Sequence, residues 1–210
     1  MKRSIITFFI LLLACLTASA QQSELCKAVA SHFQGLNSFT ATVKLTRHNA
    51  AVTNDNVTKG TYYWKRPDQQ SMVFPDTKEM LLASSTAYTM VKGGKQRTVK
   101  AKAMGNNPFE ILTDIFTHMA SGDTKTLTTQ ANVSVAKQGS SYLLTVTPKS
   151  MDAKAKRRLM FTSFTVLIDN VGNVTRLHIN ERGGNYSQYD FSACQLNANI
   201  NSKMFTTKAL

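Results

Sequence analysis

The chain has 210 residues, 42 % hydrophobic and 18 % charged, with 25 Lys and Arg against 12 Asp and Glu for a net charge of +13. That length is ample for a packed core, and the balance of apolar and charged residues excludes both a disordered chain and a many-span membrane protein. Three cysteines are too few for a disulfide scaffold, and none forms the C-x-x-C pair that zinc sites use.

Met1-Lys2-Arg3 is a basic start, residues 5–13 are an apolar run, and Ala18-Ser19-Ala20 places small residues ahead of Gln21. Together they read as a signal peptide over residues 1–20, because the apolar run is too short to span a bilayer. Export with cleavage near Ala20-Gln21 is therefore expected, and it argues against a nucleic-acid partner. Losing Lys2 and Arg3 leaves +11 on residues 21–210, so the basic balance belongs to the mature chain. Leu12-Leu13-Ala14-Cys15 also resembles a lipobox, the motif cut ahead of a lipidated cysteine, so anchoring through Cys15 stands as an alternative. If Cys15 leaves with the leader, Cys26 and Cys194 remain as an even pair in an oxidising compartment. A disulfide between them and two buried thiols are both open.

Residues 23–36 read as a helix, with Ser23 placed to cap it and Leu25, Val29, Phe33 and Leu36 on one face. From Phe39 the period changes to two: Phe39, Ala41, Val43 and Leu45 alternate with polar residues, the mark of a half-buried strand. Polar residues 49–58 read as a loop, and residues 60–65 as a second strand. Short strands follow over residues 70–74, 78–84, 87–91 and 96–101, separated by Pro75-Asp76 and Gly93-Gly94 turns. Asn107-Pro108-Phe109-Glu110 opens a second helix, with Phe109, Leu112, Phe116 and Met119 as its apolar face and Gly122 at its end. Strands return over residues 133–137, 142–147, 159–169, 173–181 and 186–197. Many regular strands with two helices predict one domain, mainly β of the α+β kind, built on a strongly curved antiparallel sheet. Two helices available to cover its concave face would make a container.

The chemistry of an enzyme is not legible. His32, His48, His118 and His178 are scattered singly, without metal-ligand spacing. There is no G-x-S-x-G turn, no phosphate-binding glycine loop and no close carboxylate pair, so no catalytic residue, metal or cofactor is expected. An exported hydrolase would need a histidine and a carboxylate brought together by the fold. Basic runs at 92–102 and 149–158 read either as solvated hairpin connections or as a surface for anionic lipid headgroups or an acidic partner. Aromatic residues do not interleave with them, so no base-stacking platform is indicated. Past the leader the chain carries nine Phe, six Tyr, one Trp and eight Met. Pliable Met residues suit variable apolar ligands, though any folded core also uses them.

More specific is Gly60-Thr61-Tyr62-Tyr63-Trp64-Lys65-Arg66-Pro67, preceded by Ser38-Phe39-Thr40-Ala41-Thr42-Val43. A leader, a helix, S-F-x-A and then G-x-x-x-x-K-R-P resemble the LolA family of periplasmic outer-membrane lipoprotein carriers. The likeness continues through Gly105-Asn106-Asn107-Pro108-Phe109, through Leu144-Thr145-Val146-Thr147-Pro148-Lys149 and the 169–172 turn, and on to Tyr189 and Ser202-Lys203-Met204-Phe205. The family usually continues past this phenylalanine with a Pro-rich segment, whereas here Thr206-Thr207-Lys208-Ala209-Leu210 follows. Residues 72–102 are also diverged and unusually basic.

The resemblance implies an unclosed antiparallel β half-barrel with helices covering a concave apolar face. It implies a monomeric, non-enzymatic periplasmic carrier for acylated lipoproteins. An inner-membrane lipoprotein-releasing transporter would load it, and it would deliver to an outer-membrane acceptor or to that membrane. It also implies that Arg66, matching the Arg of the family's K-R-P motif, hydrogen-bonds into the helical lid. Candidates for the lining are Trp64, Phe74, Met80, Leu82, Met90, Phe109, Leu112, Phe116 and Met119. Two related readings stay open: a membrane-anchored LolB-like receptor if Cys15 is lipidated, and a lipid-sensing regulatory module.

Overall fold

The structure is a computed structural model and describes residues 22–100, 108–120, 128–129, 131–149 and 161–210. Helix α1 (22–34) precedes six strands, β1 (Ser38–His48), β2 (Asn56–Lys65), β3 (Gln69–Phe74), β4 (Glu79–Ala83), β5 (Ala87–Lys92) and β6 (Lys95–Lys100). Helix α2 (Pro108–Ala120) follows, then β7 (Ala131–Gln138), β8 (Ser141–Pro148), β9 (Phe161–Ile168), β10 (Val174–Glu181) and β11 (Tyr186–Leu196).

All eleven strands join one antiparallel sheet in the order β6-β5-β4-β3-β2-β1-β11-β10-β9-β8-β7. Each half is a simple meander, and β1 pairs with β11 to join them. β6 and β7 lie at opposite edges and do not pair, so the half-barrel is open. The chain must therefore pass from one edge to the other between β6 and β7, and α2 lies on that passage. Topology alone thus carries α2 over a face of the sheet.

Which face is set by the two-residue period. Across the register, Val135, Leu144, Val166, Leu177, Tyr189 and Leu45 pair in succession and form one inward row. Leu25, Cys26 and Val29 of α1, with Ile111, Ile115 and Met119 of α2, pack into the same core as the β7–β10 members of that row. Fully burying each such aliphatic side chain contributes about 1.5–3 kcal/mol, so both helices are held to the sheet mainly by these contacts. On the other half, the inward row runs Ala41, Tyr62, Met72, Leu81, Met90 and Arg97 toward the β6 edge. Ala41 and Met72 are buried, yet Met90 is 53 % exposed, so the cover ends before the edge.

Several boundaries differ from expectation. Ser23 lies inside α1 and does not cap its start. β2 begins at Asn56 because Asn56–Lys59 pairs with the end of β1, which leaves only residues 49–55 as loop. α2 buries Ile111 and Ile115 completely beside Met119, whereas Phe109, Leu112 and Phe116 are only partly buried. The helix therefore has a sealed core face and, beside it, a half-buried face that also borders the core. Asn107, Gly122 and nearly all of the second basic run lie outside the described residues. No described helix is long and apolar enough to cross a membrane.

Candidate functional site

The concave face divides along its strands. At the Arg47 end, the Glu79 carboxylate accepts a hydrogen bond from Arg47 at 2.6 Å and lies 3.4 Å from Lys92. In the middle, Val43, Leu45, Met72 and Phe74 form a filled apolar cluster. Tyr189 packs against it, its phenol pushed up to about 12, first by burial and then by Glu181 and Glu79, with Arg47 pulling the other way. At the Phe39 end, the helices and the sheet border a half-open cavity of about 380 Å³. That is within the range of pockets that take one small ligand.

The cavity is walled mostly by rings and aliphatic chains. The lining takes Phe33 from α1, Phe39 and Ala41 from β1, Tyr62 and Trp64 from β2, and Met72 from β3. Phe109, Leu112 and Phe116 come from α2, and Val174, Leu177, Phe191 and Leu196 from β10 and β11. The rings touch in a chain. Trp64 stacks on Phe39 at 5.5 Å between centroids and meets Phe33 edge-on at 5.6 Å, and Phe33 reaches Phe116 at 6.2 Å. A bulge shapes the β11 wall: Thr40 and Thr42 pair with Gln195 and Ser192, leaving an extra residue, and Ala193 takes a positive φ of 50°. Such a bulge bends its strand and re-aims the neighbouring side chains, here beside Cys194 on the cavity wall.

Arg66 ties the roof to this wall. Its Nε donates to the Leu36 carbonyl at 2.5 Å and its Nη2 to the Phe33 carbonyl at 2.6 Å, while its backbone N–H donates to Asn37. The last carbonyls of a helix have no partner within the helix, and they carry the negative end of its dipole. A planar, permanently charged fork fits one of them, Phe33, together with the Leu36 carbonyl just past the end of α1. The nearby Asp68 carboxylate is engaged elsewhere, accepting from the Ser85 N–H at 2.7 Å.

The other side of α1 rests on the turn between β9 and β10. A Cβ at Gly172 would lie 2.9 Å from both the Ala28 carbonyl oxygen and the His32 Cβ, and Gly172 has φ +99°, so only glycine lets helix and turn approach this closely. Asp169 holds the turn by accepting from the Val171 and Asn173 N–H groups. Burial lowers the pKa of His32 from its ordinary 6.5, against a smaller opposing pull from the Asp169 carboxylate.

Of the residues expected at the site, Arg66, Trp64, Phe109, Leu112 and Phe116 meet at the cavity. Phe74 belongs instead to the filled middle cluster, and Met119 to the main core. Met80 and Leu82 have the wrong phase: Met80 pairs with Val73 and Leu82 with Ser71, whereas inward Met72 pairs with Leu81. Met80 is nevertheless buried, and the 3₁₀ turn Ser202–Phe205 packs beside β3, so β3 and β4 are covered on both faces there. Alternation cannot distinguish inside from outside where both faces are dry. Met90 points inward but lies beyond the cover. Cys26 and Cys194 are not joined in a disulfide: Cys26 is buried in the core beneath α1, and Cys194 is at the cavity.

Tyr62, Met72 and Phe191 also line the cavity, and counting by twos from Trp64 reaches Tyr62 and its partner Met72. Among the described residues, no group of three or more His, Cys, Asp or Glu could hold a metal ion.

The family described as outer membrane lipoprotein carrier protein LolA matches residues 34–208. The chain belongs to this family. A solved DUF1329-family protein from Desulfovibrio piger superposes with a TM-score of 0.50 at 10 % identity, covering 92 % of this chain and 99 % of that one. A LolA superfamily protein from Nitrosomonas europaea gives 0.45 at 14 % identity over 90 % and 99 %. The lipoprotein LppX of Mycobacterium tuberculosis gives 0.39 at 12 % over 87 % and 97 %. No curated protein sequence matches the chain. Within the LolA match, S-F-x-A supplies Phe39 and Ala41 to the cavity, and K-R-P supplies the Arg66 fork.

Proposed function

We propose that this chain is a periplasmic carrier that takes the acyl chains of lipoproteins into its cavity at the inner membrane and gives them up at the outer membrane. The observation that carries this reading is an apolar cavity whose roof is fastened by one arginine fork. Each buried CH₂ contributes about 0.8 kcal/mol, so acyl chains need cover to cross water. A carrier must also release them, and a roof with two positions allows moderate affinity instead of permanent capture. A cavity of about 380 Å³ suits one chain as it stands, so a multiply acylated cargo requires α1 and α2 to move apart.

Loading by an inner-membrane transporter, delivery to an outer-membrane acceptor, cleavage of residues 1–20 and a single domain over 21–210 belong to this proposal. The test is extraction: the purified protein, incubated with inner-membrane vesicles, brings acylated lipoproteins into the soluble fraction. Failure to extract them, with no acylated cargo on protein taken from the periplasm, defeats the proposal. Leu12-Leu13-Ala14-Cys15 favours a second reading, a receptor anchored through a lipid on Cys15. Mass spectrometry of the mature amino terminus separates the two, Gln21 for the carrier and diacylated Cys15 for the receptor.

A further inference from the structure

The cavity contains a polar group that an inert container for hydrocarbon would not need. Gln70 of β3 sits directly across the strand pair from Trp64, on the inward face, and its side chain lines the cavity. Its neighbours fix which way the amide points. The Thr113 hydroxyl donates to the Phe109 carbonyl at 2.8 Å, so toward Gln70 it can only accept. Gln70 therefore presents Nε2 to Thr113, at a long 3.5 Å, and turns Oε1 to the Tyr62 hydroxyl, which donates to it at 2.9 Å. Tyr62 is partly buried against the apolar cluster, and desolvation pushes its pKa well above the usual phenol range, so that proton stays in place. The result is an oriented amide with one N–H in a stretched bond and a second that meets no acceptor among the described residues. Beside the wall of Phe39, Trp64 and Phe116, this half-buried N–H is a donor that a ligand acceptor in the cavity would meet.

We propose that Gln70, held by Tyr62, is a specificity-determining residue that donates a hydrogen bond to the carbonyl oxygen of an acyl ester or amide while the hydrocarbon tail lies along the aromatic wall. This rests on the acyl-carrier reading and narrows it: the cavity recognises the acyl linkage as well as the chain. A plain alkyl tail fills the same space but leaves the amide N–H unsatisfied.

Trp64 is the single tryptophan of the chain and stands on the cavity wall, so its fluorescence reports occupancy directly. The probes are 1-palmitoylglycerol, an ester, and 1-O-hexadecylglycerol, its ether counterpart, which lacks the carbonyl. The full mature protein binds the ester about fivefold more tightly, the ratio that one net hydrogen bond provides. Gln70→Leu abolishes the preference while still binding the ether. Tyr62→Phe, which keeps the ring but releases the amide, reduces it. Equal binding of both probes by the wild type, or a preference that survives Gln70→Leu, overturns the subsite and leaves the carrier reading intact. No Trp64 response to either probe defeats the carrier reading, and the subsite falls with it.

Discussion

Arg66 acts at the junction where a strand end meets a helix end. Its two side-chain bonds reach carbonyls three residues apart, Phe33 and Leu36, and Phe33 is also a ring of the cavity roof. On the proposed carrier reading, opening the roof would break these bonds, so they would favour the empty, closed state. Arg66→Leu removes that bias, so the variant still takes up acylated cargo but hands it to an acceptor membrane about tenfold more slowly, the loss expected from one charge-assisted hydrogen bond. A transfer assay with labelled lipoprotein reads this directly, and wild-type transfer by the variant removes Arg66 from the mechanism.

His32, on the same helix, gives a pH signature. Because its folded pKa lies below the unfolded value, the unfolded chain binds its proton first. The stability tied to neutral His32 is complete above about 6.5 and is lost as pH falls through that value. The melting temperature of the wild type therefore drops more steeply between pH 7 and pH 5 than that of His32→Gln. Parallel curves would dissociate His32 from the seating of α1.

Helix α2 shows why one element can serve stability and function separately. Its core face, Ile111, Ile115 and Met119, is sealed, while Phe109, Leu112 and Phe116 look into the cavity. Ile115→Ala is expected to cost about 2–5 kcal/mol of stability in urea unfolding. Phe116→Ala, already facing empty space, costs less stability but weakens acyl binding. The reverse pattern would mean that the two faces are misassigned.

The same helix marks what was legible in the sequence. The 3.6-residue period located α2 and an apolar face, but Ile111 and Ile115 are as apolar as Phe109 and Phe116. Periodicity cannot tell a face that packs from a face that lines a void. Strand β4 misleads similarly: Met80, on its outer side, is buried while inward Leu81 is only partly so, and burial there does not follow the alternation. β1 was readable because one of its faces is wet.

At the scale of the whole molecule, the open sheet leaves its two edges unlike each other. The β5–β6 hairpin carries Lys92, Lys95, Arg97 and Lys100 with no acidic residue between them, and exposed Met90 lies across from Arg97. Charged edge strands resist edge-to-edge aggregation, which is one role for these side chains. On the proposed carrier reading, a surface of this sign would also draw the protein toward anionic headgroups. Extraction of cargo from anionic vesicles is therefore expected to fall severalfold between 0.05 and 0.5 M salt, as screening shortens the reach of exposed charge. Extraction indifferent to salt would restrict the hairpin to guarding the edge.

The family and the open half-barrel were accessible from ordered motifs and period-two patterning. The cavity was not, because it depends on register between distant strands and on where two helices stop covering the sheet.

The central claim, that the cavity holds the acyl chains of lipoproteins in transit, is tested most directly by native mass spectrometry of the protein isolated from its own cell envelope. The account predicts a mature chain starting at Gln21 with an added mass that matches an acylated lipoprotein, lost when Phe116 and Trp64 are replaced together by charged residues. A protein that is uniformly free of acylated cargo, or whose added mass persists in that double variant, would contradict it.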